Sequence, residues 1–188
     1  MKKIKILAVF FSFFLIGCSL LGGSSKFRRE PDGFRDIKWG TDISTLRDME
    51  RVGQDKSPGS DLAWYTRKEE SFAIGEASIE RVFYSFWMGS LQGVWIDFKG
   101  DENFGELRRE LFERYGKVLE SEELMKKMGD EPGREPSTIR HSEEFYAWWG
   151  KVTEMTLSYS RDRHKGTLSI QSKKISEERI AYEKQKGK

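Results

Sequence analysis

The sequence predicts an α+β domain in which helices pack on an antiparallel sheet, built as a degenerate tandem duplication of a helix-plus-strands unit. Three observations carry that expectation. Apolar residues alternate with period two through residues 62–66, 78–87, 91–99, 144–149, 152–160 and 168–171, which is the pattern of strands. Phe104, Leu107, Leu111 and Tyr115 recur at helical spacing, giving one clear amphipathic helix. The order helix then strands occurs twice, over residues 34–99 and again over 100–174.

Lys2, Lys3 and Lys5 stand ahead of an apolar run from Ile6 to Ile16 that only Ser12 interrupts. As a helix these eleven residues span about 16 Å, short of the roughly 20 residues a bilayer crossing requires. A positive start, a short apolar core and a small residue at the cut make an export leader, predicted over residues 1–17. At its end, Leu15-Ile16-Gly17-Cys18 resembles the lipobox of bacterial lipoproteins. The resemblance implies cleavage between Gly17 and Cys18, where a small residue lets the peptidase approach the backbone. It also implies a diacylglyceryl group on Cys18, whose thiolate is a strong nucleophile near neutral pH. Further acylation would secure the anchor, since two or three chains hold a protein stably at about 0.8 kcal/mol per buried methylene. Ser19, in place of the Asp that retains enteric lipoproteins in the inner membrane, implies the periplasmic face of the outer membrane where the organism is Gram-negative.

Residues 18–33 read as a tether, with Gly22, Gly23, Ser24 and Ser25 followed by charged residues and a Pro31-Asp32-Gly33 turn. The domain is then expected over 34–175. Phe34, Ile37 and Trp39-Gly40-Thr41 resemble the entry of a group of uncharacterised exported bacterial proteins of small α+β type, which often have Gly where Asp36 stands here and carry no activity over. Ile43, Leu46 and Met49 predict a helix over 42–51 capped by Thr41 or Asp42. In the hairpin of 78–99, Val82, Tyr84 and Phe86 fall on one face of the first strand and Ile79, Phe83 and Trp87 on the other. The return strand turns Val94, Ile96 and Phe98 one way and Trp95 and Asp97 the other, and apolar residues on both faces predict a central position in the sheet. Asp101 is placed to cap the next helix, Glu110 and Arg114 to pair along it, and Gly116 to stop it. A shorter helix is expected over 121–128 and a Pro/Gly loop over 129–137. The closing hairpin has one polar face, and the tail over 176–188, with only Ile180 and Tyr182 to bury, is expected to fray. The tandem plan resembles, in architecture alone, small envelope proteins such as the α+β inhibitor of β-lactamase.

Charge and chemistry narrow the function. The chain has 33 basic and 31 acidic residues; removing the three leader lysines leaves 30 against 31, a formal charge of −1. A balanced surface without a basic stripe argues against nucleic acid. Cys18 is the only cysteine, so neither a disulfide nor a thiolate metal site is expected. His141 and His164 lie in polar, loop-like sequence, and His141-Ser142-Glu143-Glu144 lacks the strained Gly-rich turn that presents a nucleophile. Asp130, Glu131 and Glu135 lack the alternation of a calcium loop, and no cofactor or metal is expected.

Recognition therefore falls to aromatic residues, which serve as binding anchors when exposed. Trp87, Trp95, Trp148 and Trp149 are the candidates. Trp87 and Trp95 are expected to meet across their hairpin, while adjacent Trp148 and Trp149 must face opposite ways. The preferred expectation is a membrane-anchored envelope lipoprotein with a non-catalytic domain that binds a protein, peptide or glycan partner. The alternative is an envelope hydrolase of peptide or cell-wall substrates using His141 with Glu143 or Glu144. A Cys18→Ala chain is expected to stay unprocessed or leave the membrane; in gel mobility and fractionation, normal cleavage and membrane recovery would rule out lipidation.

Overall fold

A computed structural model describes residues 27–56, 60–116, 118 and 143–186. Two short strands, β1 (Gly33–Phe34) and β2 (Ile37–Lys38), form a hairpin. A 3-10 turn at Ile43–Thr45 leads into β3 (Met49–Gln54) and β4 (Leu62–Arg67). A second small hairpin, β5 (Ala73–Ile74) with β6 (Ala77–Ser78), precedes β7 (Arg81–Trp87) and β8 (Ser90–Lys99). Helix α1 (Asp101–Tyr115) follows, then β9 (Glu143–Trp149), β10 (Thr153–Ser160), β11 (Lys165–Ser172) and helix α2 (Lys173–Lys186). The main sheet is antiparallel, seven-stranded and ordered β3-β4-β7-β8-β11-β10-β9. The expected α+β class is thus observed, with β7 and β8 in the interior of the sheet as their two apolar faces require. The helix expected over 121–128 and the loop over 129–137 lie outside the described residues.

Helix α1 covers one face of the sheet. Its Phe104, Leu107 and Leu111 are buried against the side that carries Val82, Tyr84, Ile96, Phe98, Leu157 and Leu168. Asp101 and Glu102 in the first turn suit the positive end of the helix, and Arg114 the last turn. Gly116 ends it at φ +92°, donating its N–H to Phe112 O, a conformation that glycine adopts without strain. The expected Asp101 cap is not made. Gly100 occupies the cap position without a side-chain bond, and the Asp101 carboxylate instead accepts from Tyr159 Oη at 2.6 Å and lies 3.2 Å from His164 Nδ1. Three rings, Phe98, Tyr159 and Phe104, stack nearly parallel, the last two with centroids 4.4 Å apart. Gly166 stands opposite both Phe98 and Tyr159 in the register, and a side chain there would overlap the Phe98 ring.

Two expectations about helices are corrected. The stretch 42–51 is not a helix. Asp42 caps only the 3-10 turn, accepting the Ser44 N–H at 2.8 Å, and the chain then runs extended to pair β3 with β4. Ile43, Leu46 and Met49 still pack on the core, but Val52 and Gly53 are poor helix formers, and pairing with β4 satisfies the backbone instead. The tail, conversely, does not fray over its described length. Ile175 and Ser176 are buried at the start of α2, Ser176 Oγ accepts from Gln92 Nε2 at 3.1 Å, and Tyr182 meets Trp87 edge-on at 5.7 Å. Ile180, expected as an anchor, is 45% exposed.

The described part of the expected tether is also fastened to the domain. Phe27 packs edge-on against Tyr115, and Arg28 N donates to Tyr115 O at 2.9 Å. The Glu30 carboxylate accepts the N–H groups of Val152 and Thr153 at 2.6 and 2.8 Å. Thr153 Oγ1 donates to Pro31 O and accepts from Trp39 Nε1.

Because Leu107 is fully buried, Leu107→Ala should cost about 3 kcal/mol, within the range of core truncations. Ile180→Ala should stay within about 0.5 kcal/mol as an exposed change does; urea denaturation compares the two, and equal losses would contradict this placement of the helices.

Candidate functional site

The face of the sheet turned away from α1 is defined by register. Opposite residues form rows across the inner strands: Trp64, Ser85, Gly93 and Gln171; next Phe83, Trp95, Ser169 and Thr156; then Arg81, Asp97, Thr167 and Ser158. At one end α2 lies over this face. A β-bulge between β7 and β8 at Ser85/Phe86 inserts Gln92, whose buried amide reaches Ser176 of α2, and Trp87 meets Tyr182 nearby. Beyond α2 the aromatic rows come partly to the surface.

Trp64, Phe83 and Trp95 are half-buried. Trp95 and Trp64 meet edge-on with centroids 4.8 Å apart. Gly93 makes this possible, because a Cβ there would lie 3.0 Å from the tip of the Trp95 ring. The ring leans back along its strand into the space the glycine leaves. In the third row, Arg81 Nη2 pairs with Asp97 Oδ2 at 2.7 Å, and Thr167 Oγ1 donates to Asp97 Oδ1 at 3.1 Å. The Arg81 guanidinium also lies 5.5 Å from the centre of the Phe83 ring, within cation–π range. A cavity of about 260 Å³ opens over this row and is bounded further by Ser160, Arg163 and Lys165. Aromatic rings therefore adjoin a cleft of paired charges and hydroxyls.

The four tryptophans expected from the sequence separate. Trp95 lies on the open face but meets Trp64, not Trp87; the register sets Trp87 opposite Ser90 and Trp95 opposite Phe83. Trp87 is half-buried against α2. Trp148 is fully buried, packed on Phe112 with its Nε1–H donated to Gly116 O at 2.8 Å, which removes it from any contact surface. Trp149 faces the other way, as adjacent strand residues must, and is half-buried. Trp64, Phe83 and the Arg81–Asp97 pair were missed by sequence reasoning. Trp64 falls two residues from buried Leu62 and so on the same face of its strand, but its neighbour is visible only once β4 is paired with β7.

Of the residues of the hydrolase alternative, only Glu144 is described with its side chain. His141, Ser142 and Cys18 lie outside the described residues, as do Asp130, Glu131 and Glu135. Glu144 pairs with Arg161 and Arg108 and accepts from Tyr146 Oη at 2.9 Å. His164, on the β10–β11 turn, meets Asp101 at the start of α1, and beside them burial and the Asp101 hydrogen bond push the Tyr159 phenol up to about 12. Among the described residues no group of His, Cys, Asp and Glu could hold a metal ion, and no helix is long and apolar enough to cross a membrane.

A second polar cluster joins the β1–β2 hairpin to the sheet. Arg35, at φ +55° in the turn, pairs with Glu70, whose side chain is 3% exposed and accepts from Tyr84 Oη at 2.6 Å. Arg67 forks onto both oxygens of Asp36 at 2.6 and 2.9 Å and reaches Asp48 at 2.5 Å. Each charge here has its partner, and the cluster ties down backbone where a reacting group would have to be left open. The chain matches no known protein family, no curated protein and no solved structure.

Hydrogen bonds from Arg67 hold the Asp36 and Asp48 carboxyls below their ordinary value. For a depressed carboxyl the stabilisation is present above the unfolded value, about 3.9, and is lost as pH falls through the folded one. Carbon NMR titration of Arg67→Gln should move both midpoints upward; unchanged midpoints would show that the guanidinium is not the cause.

Proposed function

We propose that this chain is a lipid-anchored envelope lipoprotein whose α+β domain is a non-catalytic binding module, with the sheet face around Trp64, Phe83 and Trp95 as its contact surface. The observation that carries this reading is the Trp64–Trp95 pair, held half-exposed on inner strands of a packed sheet. Large aromatic residues supply much of the energy of binding surfaces. Presented from strands instead of loops, they keep their geometry without a partner.

The anchor is Cys18, and the lipobox around it supports export, cleavage and acylation. From Cys18 to Phe27 the chain can reach at most about 30 Å when extended. Such a link keeps the domain at the membrane surface, on the periplasmic side of the outer membrane in a Gram-negative cell. The partner in this reading is a protein, peptide or glycan of the envelope.

A tandem origin belongs to the same proposal. Strands β4-β7-β8 and β9-β10-β11 are two three-stranded meanders whose last strands pair at the middle of the sheet. That arrangement supports a duplicated strand unit, in which α1 introduces the second copy and only the 3-10 turn introduces the first.

In-cell crosslinking with mass spectrometry tests the surface. Trp64→Ala and Trp95→Ala together should remove the crosslinked partner while leaving the circular dichroism spectrum of the fold in place. Persistence of the same crosslinks in the folded double variant would refute this face as the contact.

A further inference from the structure

We propose that the cleft over Arg81, Asp97, Thr167 and Ser158 binds one sugar ring of a glycan, with neighbouring C–H surface resting on Phe83 and Trp95. This rests on the reading of the sheet face as a binding surface and assigns the chemical class of what it takes.

Backbone pairing comes first. The cleft floor belongs to β7, β8, β11 and β10. Of these, β8, β11 and β10 are paired on both sides through Asp97, Thr167 and Ser158, while β7 is paired at Arg81 with β8 alone, its ladder to β4 ending at Tyr84. An added peptide strand needs the free edge of a sheet, and the middle of the floor, over Asp97, Thr167 and Ser158, offers none. Recognition here must pass through side chains.

The side chains match a polyhydroxylated ligand. Asp97 spends one oxygen on Arg81 and the other on Thr167, yet its side chain keeps 25% exposure. An ionised carboxylate has about four lone-pair positions, so acceptors remain for ligand hydroxyls. Arg81 brings a fork of donors, while Thr167 and Ser158, whose hydroxyl protons go to Asp97 Oδ1 and to Thr167 O, keep acceptor lone pairs for the ligand. Neighbouring hydroxyls on a sugar need this mixture of both roles, fixed in place. Arg81 and Thr167 also hold the carboxylate from two sides, so little freedom is lost on binding.

Size and charge agree. At about 260 Å³ the cleft falls just below the roughly 300–1,000 Å³ of sites for drug-sized ligands, and so suits a single ring. Glu80 and Asp97 face Arg81, Arg163 and Lys165 around it, a near-balance that favours a neutral or singly anionic unit over a polyanion. Phe83 and Trp95 lie one row away, two residues along their strands or about 7 Å, within reach of the next ring of the same chain.

The test uses the full chain in a detergent without a sugar head group. It is titrated with three neutral trisaccharides, chitotriose, cellotriose and maltotriose, and with trialanine as the peptide control, following tryptophan fluorescence. Saturable binding of at least one trisaccharide is expected. Asp97→Asn should weaken it by roughly tenfold or more, as for a hydrogen bond to a charged group, and Thr167→Val should weaken it in a chain with unchanged circular dichroism. If no trisaccharide binds, or if folded Asp97→Asn and Thr167→Val bind as the parent does, the assignment is overturned. Binding of trialanine alone would also overturn it and point to a peptide ligand. If the trisaccharides fail while the Trp64 and Trp95 changes still abolish crosslinks, the sugar assignment falls and the binding face stands; if the crosslinks also persist, both fall.

Discussion

Burial of one face of β8 and β11 beneath α1 determines what the opposite face displays. A strand alternates with period two, so placing Ile96, Phe98 and Leu168 under Leu107 and Phe104 sends Trp95, Asp97, Thr167 and Ser169 to the other side. A one-residue slip would exchange the two sets, and it is opposed by the whole apolar stripe of the helix. Gly166 adds a local restraint, since only the register that sets it beside Phe98 and Tyr159 leaves room for their rings. The open face is thus a consequence of the core on its reverse.

Charged residues act mainly as fasteners. Glu30 joins the N-terminal segment to the β9–β10 turn, Arg35 and Arg67 tie the β1–β2 hairpin to the loop after β4, and Asp101 joins the start of α1 to the β10–β11 turn. Water weakens the exposed ion pairs among them, whereas Glu70, with a side chain 3% exposed, is shielded. Their effect lies in geometry, because each fixes a short element with little apolar surface of its own. The Arg81–Asp97 pair differs in place: it links two neighbouring strands across one register pair and borders a cleft.

The sequence was most legible where local pattern and tertiary environment agree. Alternation in Val82 to Phe86 and Val94 to Phe98 located a central hairpin and sorted its faces, and the spacing of Phe104, Leu107 and Leu111 located α1. The opposed directions of Trp148 and Trp149 followed from adjacency. Pattern failed where three residues satisfied two geometries: Ile43, Leu46 and Met49 reach the core from a 3-10 turn and a strand as well as from a helix. The tail failed for the opposite reason, since Tyr182 gains its stability from Trp87, a residue far away in sequence. For the site, Trp95 was legible as an outward ring, but its contact with Trp64 depends on the β4–β7 register and on the room left by Gly93. No local pattern encodes either.

That contact holds an outward aromatic pair in place. Two tryptophans exposed singly would sample several rotamers and lose that freedom when a ligand stacked on them, at about 0.5–1.5 kcal/mol for each side chain ordered. Edge-on packing at 4.8 Å restricts both rings before any ligand arrives, and contributes on the order of 1 kcal/mol itself. The bulge at Gln92 and the glycine at 93 shape the floor that permits this packing, while α2 covers the adjoining end of the face. The Trp64 and Trp95 rings are therefore set in position by the fold itself, and the ordering cost is met by their mutual packing.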